Sequence, residues 1–197
     1  IKKSNLLFHM MIHYQLIHLD IFLKAFPNCK ILHLQKHPID LVYSWLNKDY
    51  GGKFYENPRL AVMTYKYKDS IIPYYGYGWE EKFISLNSTD KIIFMINNMN
   101  EKSLINLTKL KNKDLKRVNH FYFDDVVQNP QNTIDKLSLI FNTNATNYTN
   151  KVLKEENCPR VLDQKSREKK LIEIKKTASK EGMNLLNKMI DNFKIIN

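Results

Sequence analysis

Long apolar runs, cysteine-rich patterns and glycine-rich phosphate loops are all lacking in this sequence of 197 residues. No stretch of 18 or more apolar residues occurs, so we expect no transmembrane segment in this chain. The two cysteines, Cys29 and Cys158, form neither a C-x-x-C pair nor a disulfide framework. No G-x-x-x-x-G-K-[S/T] motif occurs, and the first glycine in the chain is Gly51.

Acidic residues are also in the minority. The 31 lysines and arginines outnumber 20 aspartates and glutamates, and the net charge is +11. Such a charge suits anionic partners, including nucleotides, nucleic acid, acidic glycans and lipid head groups. The abundance of Lys, Asn, Ile and Tyr together is equally explained by an AT-rich genome, and both explanations stay open. The apolar content of 43% indicates a globular domain. Because the chain begins with Ile1 rather than Met, we interpret residues 1–197 as one domain that is truncated at its N terminus.

Predicted strands and helices alternate along the chain. The first apolar segment predicts a helix that ends before Pro27, with Ile17, Ile21, Phe22 and Ala25 on its buried face. Short apolar runs predict three buried strands, at residues 30–35, 91–96 and 118–123. Helices are predicted from Pro38 to a stop at Tyr50-Gly51-Gly52, at 58–72, at 101–114, from Pro130 onward and at 165–193, with a polar loop at 143–150. This alternation predicts an α/β fold with a partial parallel sheet flanked by helices.

The first predicted strand and the helix after it have the features of a phosphate site. Lys36 leaves the strand with a positive charge, and the helix that begins near Pro38 directs its unpaired N–H groups toward the same space. Asp40 lies one helical turn before Ser44, so the Ser44 hydroxyl is on the same helix face as Asp40. A carboxylate beside an anion is unfavourable, so we interpret Asp40 as a structural residue that bonds to the first helical turn.

These residues resemble a motif of the sulfotransferase family that uses 3′-phosphoadenosine 5′-phosphosulfate. In that family a strand ends in Arg, followed by x-Pro-x-Asp, three residues and Ser, and the Arg and Ser hold the 3′-phosphate of the nucleotide. The chain matches at Pro38, Asp40 and Ser44 and departs at Lys36, which keeps the charge but loses the bidentate fork of Arg. The segment Phe123-Asp124-Asp125-Val126, followed by Asn129-Pro130, resembles a second family segment. The likeness spans about residues 13–145.

The resemblance implies a P-loop nucleotide-hydrolase-like fold of the sulfotransferase type, with 3′-phosphoadenosine 5′-phosphosulfate as co-substrate and no metal. It implies that Lys36 and Ser44 bind the nucleotide, that Arg160 adds a further contact, and that His13 is the catalytic base. The family's 5′-phosphosulfate loop should precede Lys36, yet no glycine-rich turn does so. We therefore expect the C-terminal part of a longer sulfotransferase, inactive as this fragment alone.

The sequence allows two interpretations for several residues. His13 is either the base or an ordinary structural histidine, and the pair His9 and His13 lacks a third ligand that would suggest a metal. The patch containing Tyr74, Tyr75 and Trp79 either lines a pocket for a small-molecule or glycan acceptor or packs in the core. Asp124 and Asp125 are interpreted as scaffold rather than as an acid/base pair.

The basic helix after residue 165 is either a solvated face or brings Arg167, Lys169 and Lys170 to the nucleotide or a polyanionic acceptor. Two other functions compete with sulfuryl transfer. A nucleotide kinase-like P-loop transferase would share the phosphate site, whereas a nucleic-acid-binding protein would use the charge and the aromatic residues. The sequence contains no zinc module and no RNA-recognition aromatic motif, so we expect no nucleic-acid partner.

Overall fold

Helices surround two small sheets in the part of the chain that the computed structural model describes, residues 9–11, 15–52 and 63–193. The strands are β1 (Ile31–Gln35), β2 (Thr64–Tyr67), β3 (Ser70–Pro73) and β4 (Val118–Tyr122). The helices are α1 (Leu19–Ala25), α2 (Pro38–Asn47), α3 (Glu80–Ser85), α4 (Ser88–Thr108), α5 (Asn112–Leu115), α6 (Phe123–Gln128), α7 (Pro130–Phe141), α8 (Asn147–Glu155), α9 (Gln164–Thr177) and α10 (Lys180–Asp191). Short 3₁₀ turns occupy Gln15–His18 and Tyr74–Gly76.

The parallel sheet consists of β1 and β4. Ile31 lies opposite Val118 and Gln35 opposite Tyr122, so the carboxyl ends of both strands lie at one edge. Helices flank this pair, which confirms the coarse prediction of a mixed α/β fold with a small parallel sheet. The predicted strands at 30–35 and 118–123 are confirmed, as is the helix that begins at Pro38.

The strand predicted at residues 91–96 is wrong, because these residues lie inside the 21-residue helix α4. Lys91, Ile92, Ile93, Met95 and Ile96 are all buried there. A helix segment covered on every side shows the same continuous apolar run as a buried strand, so periodicity does not separate the two. The predicted helix at 101–114 corresponds to the end of α4 and the short helix α5.

The helix predicted at residues 58–72 is also wrong over its described part. Strands β2 and β3 form an antiparallel hairpin, in which Thr64 pairs with Pro73 and Tyr67 with Ser70. Lys68 occupies the turn with a φ of 52°. Tyrosines and isoleucines favour strands, and here that preference prevails over the helical pattern. Residues 58–62 of this prediction lie outside the described residues.

The long basic helix predicted at residues 165–193 is two helices, α9 and α10. The backbone N–H of Ser179 donates to Asp90 Oδ1 at 3.0 Å, and Ser179 Oγ accepts from the N–H of Gly182 at 3.1 Å. Gly182 is required at this junction, because a Cβ there would lie 2.1 Å from Asp90 Oδ1. A buried carboxylate on α4 therefore stabilises the break, with Ser179 as the N-cap of α10.

Two further predictions need correction. The loop predicted at 143–150 is shorter, because a capping box at Thr146 starts helix α8 at Asn147. Helix α1 ends before Pro27 as predicted, but its buried face is different. Ile21 is 59% exposed, and the buried residues are Leu16, Leu19 and Leu23, since the chain before residue 19 is a 3₁₀ turn.

The main core lies where α2, α4, α9 and α10 meet, and it also takes in β3 and α3. Its largest fully buried side chains include Phe83, Ile96, Met99, Ile174 and Leu186. A smaller cluster joins Leu16, Leu19, Leu23 and Val118, and so packs α1 against the parallel strands. None of the described helices has both the length and the apolar character needed to cross a membrane.

Candidate functional site

The candidate site lies at the carboxyl ends of β1 and β4, where each strand passes directly into a helix. Only Lys36 and His37 separate β1 from α2, and α6 follows β4 at once. Pro38 occupies the first turn of α2, where its missing N–H costs no hydrogen bond. His37 is the N-cap residue, and its Nδ1 accepts from the N–H of Ile39 at 3.3 Å. The N terminus of the ten-residue helix α2 therefore lies at this edge, the position at which α/β sheets bind ligands. The Phe193 ring also packs at this edge, with its centroid 5.0 Å from that of His37 and 5.4 Å from that of Tyr122.

Lys36 is half-buried at this edge. Its Nζ lies 5.3 Å from the centroid of the Phe123 ring, and Phe123 is the first residue after β4. Burial is the main cause that lowers the pKa of Lys36 below its usual value, and the attraction of Asp40 only partly opposes it. Within the described ranges, the Lys36 ammonium forms no ion pair with a carboxylate. Its charge is therefore both incompletely hydrated and available to an anionic ligand.

Asp40 joins α2 to α9. Its Oδ2 accepts from Arg167 Nε at 2.9 Å and from Arg167 Nη2 at 2.7 Å, and its Oδ1 accepts from Lys170 Nζ at 2.6 Å. Burial acts to raise the pKa of Asp40, but the hydrogen bonds from Lys170 and Arg167 outweigh it and hold the pKa below its ordinary value. Asp40 is a structural residue, as predicted. Its hydrogen-bond partners among the described residues, however, are the side chains of Arg167 and Lys170 rather than the first helical turn.

Asp124 completes this network from the first turn of α6. Its Oδ2 accepts from Arg167 Nη2 at 3.1 Å, which fits the interpretation of Asp124 as scaffold. Its Oδ1 is buried and has no hydrogen-bond partner among the described residues. The network pairs two cations, Arg167 and Lys170, with two carboxylates, Asp40 and Asp124, and is therefore neutral as a unit. The positive charge of Lys36 lies beside it.

Ser44 lies on α2 one turn after Asp40, and Lys48 follows one turn later. Residues four apart share a helix face, so the Ser44 hydroxyl lies on the side of α2 that carries the Asp40 network. Ser44 is half-buried. The structure thus brings Lys36, the N terminus of α2 and the face of Ser44 to one side of the molecule.

Arg160 has a different set of contacts. Its Nη1 donates to the carbonyl of Glu156 at 2.8 Å and to that of Asn157 at 3.4 Å. Its backbone N–H donates to the carbonyl of Val127 at 3.1 Å. These bonds close the end of α8 and tie the following loop to α6. None of the described bonds of Arg160 reaches the Lys36 region, and its contact with the nucleotide stays a prediction.

The predicted aromatic patch lines a cavity of about 220 Å³. Tyr74 and Tyr75 are in its wall, and their ring centroids lie 4.2 Å apart. Trp79 packs instead against Phe83 and Phe94, and its indole N–H donates to the carbonyl of Tyr75 at 2.8 Å. The pocket interpretation therefore fits Tyr74 and Tyr75, which line the cavity. The packing interpretation fits Trp79, which lies behind them.

The predicted catalytic residue His13 lies outside the described residues. His18 also lines the aromatic cavity, with its ring 6.3 Å from that of Tyr74. Among residues 9–11, 15–52 and 63–193, no three His, Cys, Asp or Glu side chains are grouped closely enough to hold a metal ion.

A histidine pair that was not predicted from the sequence lies in the parallel sheet. His33 of β1 lies opposite His120 of β4, with their Nδ1 atoms 3.1 Å apart. Burial, and then the neighbouring His120, lower the pKa of His33 to about 4. Burial and Lys136 also lower the pKa of His120. Both rings are therefore neutral at pH 7, and one donates to the other. The available signal was a histidine at the third position of both five-residue strands.

Comparison of the chain with protein-family models, with curated proteins and with solved structures found no match. The function is therefore argued from the residues and geometry of the site.

Proposed function

We propose that this chain carries the 3′-phosphate-binding part of a sulfotransferase that uses 3′-phosphoadenosine 5′-phosphosulfate. We also propose that the fold of this chain is the sulfotransferase variant of the P-loop-like fold. It combines the sequence resemblance at Pro38, Asp40 and Ser44 with the chemistry available at the carboxyl edge of the sheet.

The proposal depends mainly on the half-buried Lys36 ammonium beside the N terminus of α2, which forms no ion pair in the part of the chain that the structure describes. A cation that is buried without a counter-ion lowers the stability of the folded protein. An anion at this position would restore the lost electrostatic stabilisation. The N terminus of α2 favours the same anion, because it carries the positive end of the helix dipole. Pro38 has no N–H and the N–H of Ile39 donates to His37 Nδ1, so this contribution comes from the dipole rather than from a set of unpaired N–H groups.

The surrounding donor set fits a phosphate. The Ser44 hydroxyl supplies a neutral donor, and the charge of Lys36 beside the neutral Asp40 network favours an anionic ligand. Asp40 holds the Arg167 guanidinium and the Lys170 ammonium at fixed positions beside α2. These two side chains therefore contribute to the local potential while staying paired with a carboxylate.

Bound nucleotide would supply the sulfuryl group, which is transferred to an acceptor hydroxyl or amine while the adenosine bisphosphate leaves. This reaction needs in-line positioning and stabilisation of the negative charge on the leaving phosphate. In the proposal, Lys36 and Ser44 hold the far end of the nucleotide, and His13 takes the proton from the acceptor. Tyr74 and Tyr75 contact the acceptor in this proposal.

A calorimetric titration with adenosine 3′,5′-bisphosphate tests the proposal on this chain. Lys36→Ala is expected to weaken binding about tenfold to a hundredfold, because it removes a hydrogen bond to a charged group, and Ser44→Ala about fivefold. Lys36→Arg is expected to bind more tightly than the parent, since the guanidinium forms two bonds with phosphate. Lys30→Ala is the matched control, because Lys30 is an exposed lysine just before the other end of β1.

Two further ligands separate this function from its competitors. Adenosine 5′-monophosphate lacks the 3′-phosphate, and its affinity should not change in Lys36→Ala. Tighter binding of ADP than of adenosine 3′,5′-bisphosphate would favour a kinase-like transferase. Equal loss of affinity in Lys30→Ala and Lys36→Ala would show a diffuse charge effect and defeat the proposal.

A further inference from the structure

A dense group of exposed lysines lies at the amino ends of β1 and β4, the edge of the parallel sheet opposite the candidate site. Residues 19–30 and 107–117 form this surface, which we call the basic end. These two segments contain seven cationic and two acidic residues, so they supply a net charge of +5 out of the +11 of the whole chain. Six of the cations are lysines with exposed side chains: Lys24, Lys30, Lys109, Lys111, Lys113 and Lys116.

The seventh cation, Arg117, holds the two segments together. Its Nη1 donates to the carbonyl of Leu23 at 3.1 Å, and its Nε donates to that of Cys29 at 3.2 Å. Its Nη2 donates to the carbonyl of Phe26, and its Nη1 also pairs with Asp114 Oδ1 at 3.2 Å. The guanidinium is therefore occupied by protein partners, and the two lysine-bearing segments form one continuous surface.

The lysines of the basic end have little compensating negative charge. Lys24 Nζ lies 3.9 Å from Asp20 Oδ2, and these side chains are 82% and 64% exposed. Such an exposed pair contributes little energy. The other five lysines form no ion pair with any residue that the structure describes. All six charges are therefore available to an anionic partner.

Two large apolar side chains lie exposed among these lysines. Phe26 is 52% exposed, and Leu115, between Lys113 and Lys116, is 44% exposed. A bilayer that contains anionic lipids offers both negative head groups for the lysines and acyl chains for the apolar residues. A nucleic-acid backbone would satisfy only the charges. It is also best contacted by free arginines, whereas Arg117 is occupied. The surface therefore fits an anionic membrane better than a nucleic acid.

We propose that the basic end binds the surface of a bilayer that contains anionic lipids, with its lysines at the head groups and Phe26 and Leu115 in the interface. Strands β1 and β4 begin at this surface and run five residues, at about 3.3 Å per residue, toward the candidate site. The bound molecule therefore holds Lys36 on the side that faces away from the membrane. The proposal goes beyond the proposed function and does not rest on it, because vesicle binding is measured without nucleotide.

Sedimentation with lipid vesicles tests the proposal. The chain is expected to bind vesicles of phosphatidylcholine mixed with phosphatidylserine and not to bind vesicles of phosphatidylcholine alone. Added salt should weaken this binding, because it shortens the range of electrostatic attraction. Lys111→Gln, Lys113→Gln and Lys116→Gln, combined in one variant, should weaken it about a hundredfold, since each lysine near an anionic leaflet contributes about fivefold to the affinity.

The matched control removes the same charge from α9 and α10. It combines Lys165→Gln, Lys175→Gln and Lys180→Gln, whose lysines are exposed and form no ion pair within the described ranges. Because neither triple variant removes a buried side chain, both should keep the fold of the parent chain. The control should retain most of the affinity for the mixed vesicles. Equal loss in the two triple variants would show a diffuse attraction and overturn the proposal.

Leu115→Ser tests the apolar contribution, which separates a membrane from a nucleic acid. It should bind the mixed vesicles several-fold more weakly than the parent chain. Leu139→Ser is its control, because Leu139 is 84% exposed on α7, outside the basic end, and this variant should bind as the parent does. Equal effects of the two substitutions would overturn the proposal. Tighter binding of a duplex oligonucleotide than of the mixed vesicles, or no binding of the mixed vesicles, would overturn it as well.

Discussion

We expect the substitution Asp40→Asn to lower the free energy of unfolding, because it breaks the Asp40 network. The Asp40 side chain is only 11% exposed, and those of its partners Arg167 and Lys170 are 17% and 31% exposed. Removal of one partner from a buried ion pair costs about 3–5 kcal/mol. Arg167 keeps its bond to Asp124 and Lys170 can reach water, so the lower end applies. We expect a loss of about 3 kcal/mol, which lowers the melting temperature by about 6–12 °C for a chain of this size.

Thermal unfolding followed by circular dichroism measures this loss, and Glu173→Gln is its matched control. Glu173 pairs with Lys176 at 2.6 Å on helix α9, but these side chains are 51% and 60% exposed. An exposed pair contributes about 0–1 kcal/mol, and added salt reduces that contribution further. The large effect of Asp40→Asn should therefore persist at high salt. Equal effects of the two substitutions would refute the argument that burial makes this network stabilising.

The pH dependence gives a second check on the same substitution. The pKa of Asp40 lies below its ordinary value of 3.8, so the folded state favours the charged carboxylate. Its contribution is complete above the unfolded pKa and is lost as the pH falls through the lower folded pKa. The difference between the parent and Asp40→Asn should be constant near neutral pH and shrink below about pH 4. A difference that is unchanged in acid would contradict this electrostatic origin.

Two other predictions concern buried nitrogen bases. Because burial lowers the pKa of Lys36 from 10.5, Lys36→Met should stabilise the ligand-free protein at pH 7. This gain in stability should disappear as the pH approaches 10.5. A lower melting temperature of Lys36→Met at pH 7 would contradict this prediction. The pKa of His33 is lowered from 6.5 to about 4, so the parent protein should lose about 3 kcal/mol of stability from this group as the pH falls from 6.5 to 4. Chemical denaturation of His33→Asn should show a smaller loss over that interval, and an identical pH profile would exclude His33 as the cause.

The candidate site was predictable where its signals are contiguous. A short apolar strand, a lysine and a proline within nine residues identified the turn from β1 into α2. The partners of Asp40 were not predictable in this way, since Arg167 and Lys170 lie 127 and 130 residues further along the chain. One of the two interpretations of the basic helix placed both residues near the site, but nothing in the sequence paired them with Asp40.

The errors in the fold prediction have the same origin. An apolar run such as 91–96 is compatible with a buried strand or a buried helix, and only the packing of α4 inside the core selects the helix. The junction between α9 and α10 depends on Asp90, which lies 89 residues before Ser179 and accepts its N–H. Local propensity contains no information about that contact.

The sequence by itself determined the strand that ends at Gln35, the helix start at Pro38, the end of α1 before Pro27 and the basic character of the chain. Each of these follows from a restricted backbone angle, a missing N–H or a residue count, and none needs a distant partner. The tertiary structure alone decided that Lys36 is half-buried with no ion pair among the described residues, and that Tyr74 and Tyr75 line a cavity. These properties depend on which helices pack around a residue, because solvent exclusion arises only when distant segments meet.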